Sequence, residues 1–155
     1  MSESVAVAKV YEELKALRND IREVKYALMP VEKISARERK ELDRIFKQMK
    51  AGKEKSFSQI ISKWGENVFD VRLGRDAEKF YDKADSKLKD RLKELFAVLA
   101  QNPVPVDAYD VKKISGPENE YRIRLSSYRV VYCVDWDDKV VRVGKIERKD
   151  DCTYD

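Results

Sequence analysis

The chain has 155 residues and a mass of 18.1 kDa, with 43% hydrophobic and 40% charged residues and a formal net charge of +4. That length supports one ordinary domain, or a small domain carrying an interaction arm, and so high a charged fraction points to long solvated helices beside a compact part. Histidine is absent, which excludes a Ser–His–Asp triad or a histidine-ligated metal and leaves proton transfer to carboxylates, lysine, tyrosine or arginine. No apolar run approaches the roughly 20 residues of a membrane span, and the N-terminus lacks an apolar signal segment, so a cytoplasmic protein with no membrane contact is expected. Cys133 falls in an apolar run and reads as a small hydrophobe, Cys152 falls in a polar tail, and their spacing suits no metal; neither metal nor cofactor is expected. Residues 1–66 carry 15 basic and 11 acidic side chains, whereas the remainder balances at 18 of each. The positive excess therefore lies in the N-terminal segment.

The first predicted element is a helix over residues 4–29, stopped by Pro30. Val7, Val10, Leu14, Leu17, Ile21, Val24 and Leu28 alternate spacings of three and four, the a/d pattern of a coiled coil. A homodimer through this seam is expected; packing of the helix on its own chain is the alternative. A second helix is predicted from Ser35, with Glu38 placed to complete a capping box and Leu42, Ile45, Phe46 and Met49 forming an apolar stripe up to Gly52. Residues 53–65 read as an arm whose Phe57, Ile60, Ile61 and Trp64 need an apolar surface. Nothing in residues 1–66 amounts to a closed core.

From Val68 the pattern changes. Residues 68–73 alternate as a strand. Helices follow over residues 76–84, with Ala77, Phe80 and Tyr81 on one side, and from a Ser86 cap through Leu88, Leu92, Leu95, Phe96 and Leu99 to a stop before Pro103. Strands are then expected at 111–114, 121–125, 129–134 and 140–146, with Asp137-Asp138 marking the last turn. The fold class is α+β: an N-terminal helical arm with a long coiled-coil-like helix, then two helices packed on an antiparallel sheet.

The most informative stretch is Tyr121-Arg122-Ile123-Arg124-Leu125 followed by Tyr128-Arg129-Val130-Val131-Tyr132. Alternation places Arg122 and Arg124 on one sheet face, in a run read as free of acidic residues, and Arg129, Lys145 and Arg148 recur downstream. Such a face suits an anion, most plausibly phosphate. A solvated hairpin face is the structural alternative, and for Arg129 a cross-strand ion pair. Tyr128 and Tyr132 read as packing residues.

The order of elements, together with Asn102-Pro103-Val104-Pro105, the two arginine strands, and Gly144-Lys145-Ile146-Glu147-Arg148 followed by Tyr154, resembles the RelE family of bacterial and archaeal toxins over about residues 69–154. Residues 1–66 are similar to the RelB-type partner antitoxin, in which a dimerising helix precedes a second helix and a wrapping arm. The implied organisation is an antitoxin-like segment at 1–66 and a toxin domain at 67–155, joined near Glu66-Asn67.

The resemblance implies a ribosome-dependent mRNA endoribonuclease that inhibits translation, with ribosome and mRNA as partners, silenced by the antitoxin segment in cis or in trans. It further implies that Arg124, Arg129, Arg148 and Tyr154 are catalytic and that Arg122, Lys113 and Lys145 bind RNA. Lys145-Ile146 departs from the His or Arg that many relatives place after the glycine of the last strand, and acidic residues flank Tyr154. Two other readings stand beside it. One is a non-enzymatic repressor or corepressor binding operator DNA through the basic segment, although no helix-turn-helix or ribbon motif is present. The other is a gyrase-directed toxin of the related ParE type, which shares the fold.

Overall fold

The computed structural model describes residues 2–65, 67–116 and 119–149. Tyr154 and Cys152, together with Glu66 at the expected join, lie outside the described residues. The chain divides into two compact units, Met1–Pro30 and Val31–Asp155. The second helix and the arm belong to the larger unit.

The first unit is helix α1 (Glu3–Ala27), which buries no residue. Val7, Val10, Leu14, Leu17, Ile21, Val24 and Leu28 are all exposed, from 48% at Ile21 to 77% at Leu28.

The larger unit is one sheet with helices on both faces. Its elements are β1 (Val31–Glu32), α2 (Ala36–Lys50), β2 (Glu54–Ser56), the single helical turn α3 (Ser58–Ile61) with a 3-10 turn Ser62–Trp64, β3 (Asp70–Gly74), α4 (Arg75–Lys83), α5 (Ser86–Gln101), β4 (Asp110–Ile114), β5 (Glu120–Leu125), β6 (Tyr128–Asp135) and β7 (Val140–Arg148). The seven strands run in the order β1-β4-β5-β6-β7-β3-β2. The sheet is mixed rather than antiparallel: β4 to β7 form the expected meander, but β3 lies parallel to β7 and β1 parallel to β4. Parallel neighbours need a long crossover, and for β3 that connection includes both α4 and α5. The α5 cap is Asp85, whose carboxylate accepts from Leu88 N at 2.8 Å, rather than Ser86; a carboxylate there also meets the positive end of the helix dipole.

One sheet face is apolar throughout its centre. Tyr121, Ile123, Val130, Tyr132, Val141 and Val143 are buried, and Tyr132 Oη donates to Pro103 O at 2.8 Å, just beyond α5. Tyr128 meets Phe80 of α4 edge-on on this side. The expected packing roles of both tyrosines hold. The arm also follows expectation in part: Phe57 inserts edge-on between Tyr81 and Phe96, and Ile61 is buried, while Ile60 and Trp64 stay more than 40% exposed.

The other face receives α2. Leu42, Ile45, Phe46 and Met49 pack with Ile114, Val131 and Cys133 into a second small core. Burial of the Cys133 thiol pushes its pKa up to about 12, as suits a small hydrophobe. The approach of α2 depends on Gly144. It is the extra residue of a β-bulge, between Val143 opposite Tyr132 and Lys145 opposite Val131. A side chain there would meet Phe46 Cε1 at 2.8 Å and Ile45 Cγ2 at 2.9 Å. Gly144→Val is expected to destabilise the fold by about 1–3 kcal/mol through overpacking. Urea unfolding read by tryptophan fluorescence checks this, and an unchanged midpoint would show that α2 does not depend on the gap.

Candidate active face and its acidic cover

Strand register decides which side chains meet. Arg124 stands directly opposite Arg129, Arg122 opposite Val131, and Glu120 opposite Cys133. Val131 and Cys133 touch α2, so these arginines share the face that α2 covers, and so do Lys112, opposite Arg122, and Glu147, opposite Arg129. Glu120 corrects the reading of an acid-free run: it lies on the arginine face, buried against Arg39 of α2 at 2.7 Å.

The expected site residues divide accordingly. Arg122, Arg124, Arg129 and Lys145 are brought to one face. Lys113, opposite Tyr121, and Arg148, opposite Tyr128, alternate to the other face. Lys112, not Lys113, stands beside Arg122. Arg124 is exposed, whereas Arg122 and Arg129 are each only 3% exposed.

Three carboxylates converge on Arg129. Its Nη1 donates to Glu38 and, at 2.9 Å, to Glu147, while Nη2 donates to Glu32 at 3.0 Å. The cross-strand ion pair weighed for Arg129 is thus present, with two further partners from β1 and α2. Glu32 also reaches Arg122 Nε at 3.4 Å, and Arg122 Nη1 donates to Asp110 O at 3.2 Å. Lys145 Nζ lies 3.4 Å from Glu41 and 3.0 Å from Glu147. Further along the same face, Glu54 of β2 holds Arg142 at 2.9 Å and Arg72 at 2.5 Å.

Glu32, Glu38, Glu41 and Glu54 all come from residues 31–56, and each grips a cation from the strands that follow. Local sequence places them. Ser35 caps α2 by accepting from Glu38 N at 3.1 Å, which fixes the first turn and leaves the Glu38 carboxylate on Arg129. Glu41 stands three residues further along the same helix face. Glu32 is held beside β4 by pairing with Ile114.

The charges reinforce one another. Burial by itself would lower the Arg129 pKa, but the hydrogen bonds and charges of Glu38 and Glu32 outweigh it and raise it. Burial would raise the Glu32 carboxyl, yet Arg129 and then Arg122 hold it below its ordinary value. Glu147 is likewise depressed, burial being outweighed by Lys145 and Arg129. All three groups stay charged at neutral pH. An arginine in this state cannot serve as a base; it stabilises negative charge.

Sequence reasoning missed Glu32, Glu41, Glu54, Arg142 and Glu147. Glu147 had a signal, since it lies two residues from Lys145 on one strand and so shares its face. A cavity of about 620 Å³ opens between α2 and the β6–β7 end, lined by Lys47, Lys50, Asp135, Trp136 and Arg142 among others; Arg122 and Arg129 are not part of it. No helix of the described residues is long and apolar enough to cross a membrane.

The family model for the ParE toxin of type II toxin–antitoxin systems (parDE) matches residues 68–151. A putative toxin RelE1 from Methanocaldococcus jannaschii is 39% identical over 69 residues, covering 44% of this chain and 76% of the relative. Among solved structures, the archaeal RelE–RelB complex from Pyrococcus horikoshii OT3 matches with a TM-score of 0.51 and 30% identity, over 55% of this chain and 99% of that one. The isolated E. coli RelE toxin matches with a TM-score of 0.46 and 26% identity, over 54% and 86% of the two chains. The residues from 68 onward, which carry Arg122, Arg124 and Arg129, thus place this chain in the RelE/ParE family of type II toxin–antitoxin toxins.

Proposed function

We propose that this chain is a self-silenced toxin–antitoxin unit, in which residues 67–155 form a RelE-type, ribosome-dependent mRNA endoribonuclease and residues 1–66 act as its RelB-type antitoxin. The observation that carries the reading is the burial of Arg129 under Glu32 and Glu38. Carboxylates and phosphates present the same charge and the same acceptor oxygens to a guanidinium. The N-terminal acids thus occupy the contacts an RNA phosphate would take.

In the proposed reaction the ribose 2′-oxygen loses its proton and bonds to the adjacent phosphorus. The bond from phosphorus to the 5′-oxygen breaks and that oxygen takes up a proton, leaving a 2′,3′-cyclic phosphate and a 5′-hydroxyl. Arg129 and Arg124, opposite each other, would hold the charge that develops on the phosphoryl oxygens, with Arg122 and Lys145 binding the neighbouring backbone. Tyr154 keeps the catalytic role that the family resemblance implies. Arg148, on the other face, would contact flanking RNA rather than the scissile group. Pairing of two chains through the Val7–Leu28 seam belongs to the same reading. The ParE description of the matching family model favours a second reading, a gyrase-directed toxin silenced in the same way.

Expression of residues 68–155 alone should arrest growth and cut ribosome-bound transcripts, while the full chain stays silent. Arg129→Ala in that fragment should lower cleavage by about 100-fold or more, the usual scale for removing one transition-state donor. A folded, inert fragment sinks the toxin reading; a fragment that blocks DNA supercoiling and leaves transcripts intact selects the ParE-type alternative. In the full chain, Glu32→Gln with Glu38→Gln should restore measurable translation inhibition, scored in a cell-free system, and continued silence would show that the acids do not make the cover.

The same carboxylates set an acid limit. Glu32 and Glu147 titrate below their ordinary value of 4.5 when folded, so near that pH the unfolded chain binds more protons. Their stabilisation is complete above about pH 5 and is lost as pH falls through the depressed values. The urea midpoint should drop between pH 6 and pH 3.5, and drop less in Glu32→Gln. An equal drop in both would mean that other groups govern acid stability.

A further inference from the structure

We propose that the cavity between α2 and the β6–β7 end binds a free nucleoside monophosphate, its base stacked on Trp136 and its phosphate held by Lys47 and Lys50. Binding there is independent of what the toxin acts on, and Arg122, Arg124 and Arg129 take no part in it.

The cavity volume of about 620 Å³ lies in the range of small-molecule sites. Trp136 is its aromatic wall. The indole N–H donates to Asn119 Oδ1 at 3.1 Å, and the ring meets Phe69 edge-on at 5.7 Å, yet 42% of the residue stays exposed. A large aromatic side chain held from two sides but left uncovered is a preorganised platform, because stacking a flat ligand on it costs little side-chain freedom. Asn119 is itself fixed. Its φ of 72° is a left-handed conformation that asparagine tolerates, and its backbone carbonyl accepts from Val134 N at 2.9 Å. An indole N–H only donates, so the Asn119 amide turns its oxygen to the ring and keeps its NH2 for an acceptor on the ligand.

Most charges around the cavity answer one another. Asp43 and Glu120 each accept from Arg39 at 2.7 Å, and Asp135 and Glu54 hold Arg142. Lys47 and Lys50 are left over. Both are exposed, they stand three residues apart on α2 and so are neighbours, and neither has a carboxylate partner among the described residues. Burial raises the Cys133 thiol, and Lys50 and then Arg142 act against it, so the Lys50 charge is felt at the buried strand side of the cavity. Two adjacent ammonium groups match the nearly double negative charge of a terminal phosphate. An RNA strand fits less well. Asp43, Asp135 and Asp137 line the same cavity and would repel each further phosphate, which also disfavours a triphosphate.

The test uses the full chain with Trp64→Phe, which leaves Trp136 as the sole tryptophan. Adenosine 5′-monophosphate should quench its fluorescence, saturating below about 1 mM, with one site per chain by titration calorimetry. Lys47→Gln with Lys50→Gln should weaken binding about 10-fold or more, the scale of losing hydrogen bonds from charged groups. Arg37→Gln with Lys40→Gln, exposed on the same helix but outside the cavity, should leave binding unchanged. Absence of saturation in that range, or equal losses in the two double variants, overturns the site. Adenosine, which lacks the phosphate, should bind about 10-fold more weakly or worse; equal binding overturns the role of the lysines. Adenosine triphosphate and a short adenylate oligomer should bind no more tightly than the monophosphate. Tighter binding of either overturns the limit set by the acids, and tighter binding of the oligomer assigns the cavity to an RNA strand instead.

Discussion

A guanidinium withdrawn from water must be surrounded by acceptors or it cannot stay there. Arg129 meets this condition at its two terminal nitrogens, though not at the buried Nε, with carboxylates from three elements far apart in the chain: Glu32 on β1, Glu38 on the first turn of α2, and Glu147 on β7. Much of the local architecture follows from that requirement. β1 must lie against β4 to bring Glu32 within reach, α2 must begin over β6, and the β6–β7 register must set Glu147 opposite Arg129. Burying the arginine therefore fixes the position of residues 31–38 on the sheet.

Ion pairs of this kind are weak sources of net stability, because desolvation offsets most of their attraction. The hold of the segment comes instead from the apolar side of α2. Leu42, Ile45, Phe46 and Met49 are almost completely buried, and each such side chain contributes on the order of 1.5–3 kcal/mol on leaving water. The two kinds of contact divide the labour. The apolar stripe attaches the helix, and Glu32, Glu38 and Glu41 determine where along the sheet it settles. Gly144 links them, since its missing side chain lets Phe46 close on the strand beside Lys145.

Much of this was legible in the sequence wherever a local rule was also the global one. The a/d seam, the α2 stripe and its Ser35 cap, the β4–β7 meander and the shared face of Arg122, Arg124 and Arg129 all follow from periods of 3.5, 3.6 and 2. The rest depended on pairings between residues about 90 apart. Glu32 looks like an ordinary solvated acid until β1 is known to pair with β4, and Glu54 until β2 is known to pair with β3. Strands of two and three residues carry too little pattern to be seen. Glu38 reads as half of a capping box, but only its backbone N–H joins the Ser35 cap, and its carboxylate goes to Arg129 instead. Lys113 and Lys112 are adjacent in a strand and so point to opposite faces, and only the β4–β5 register shows which of them joins Arg122.

The two shortest strands have a consequence for how the molecule opens. β4 and β3 are the outer strands of the sheet formed by residues 68 onward, and β1 and β2 hydrogen-bond to them from opposite sides. Residues 31–56 thus behave as a strap buckled at both rims. Loosening one buckle leaves the other fastened, and the detached end stays close enough to rebind before the second yields. Spontaneous escape then requires both fastenings to fail together, which makes dissociation far slower than either contact would suggest by itself.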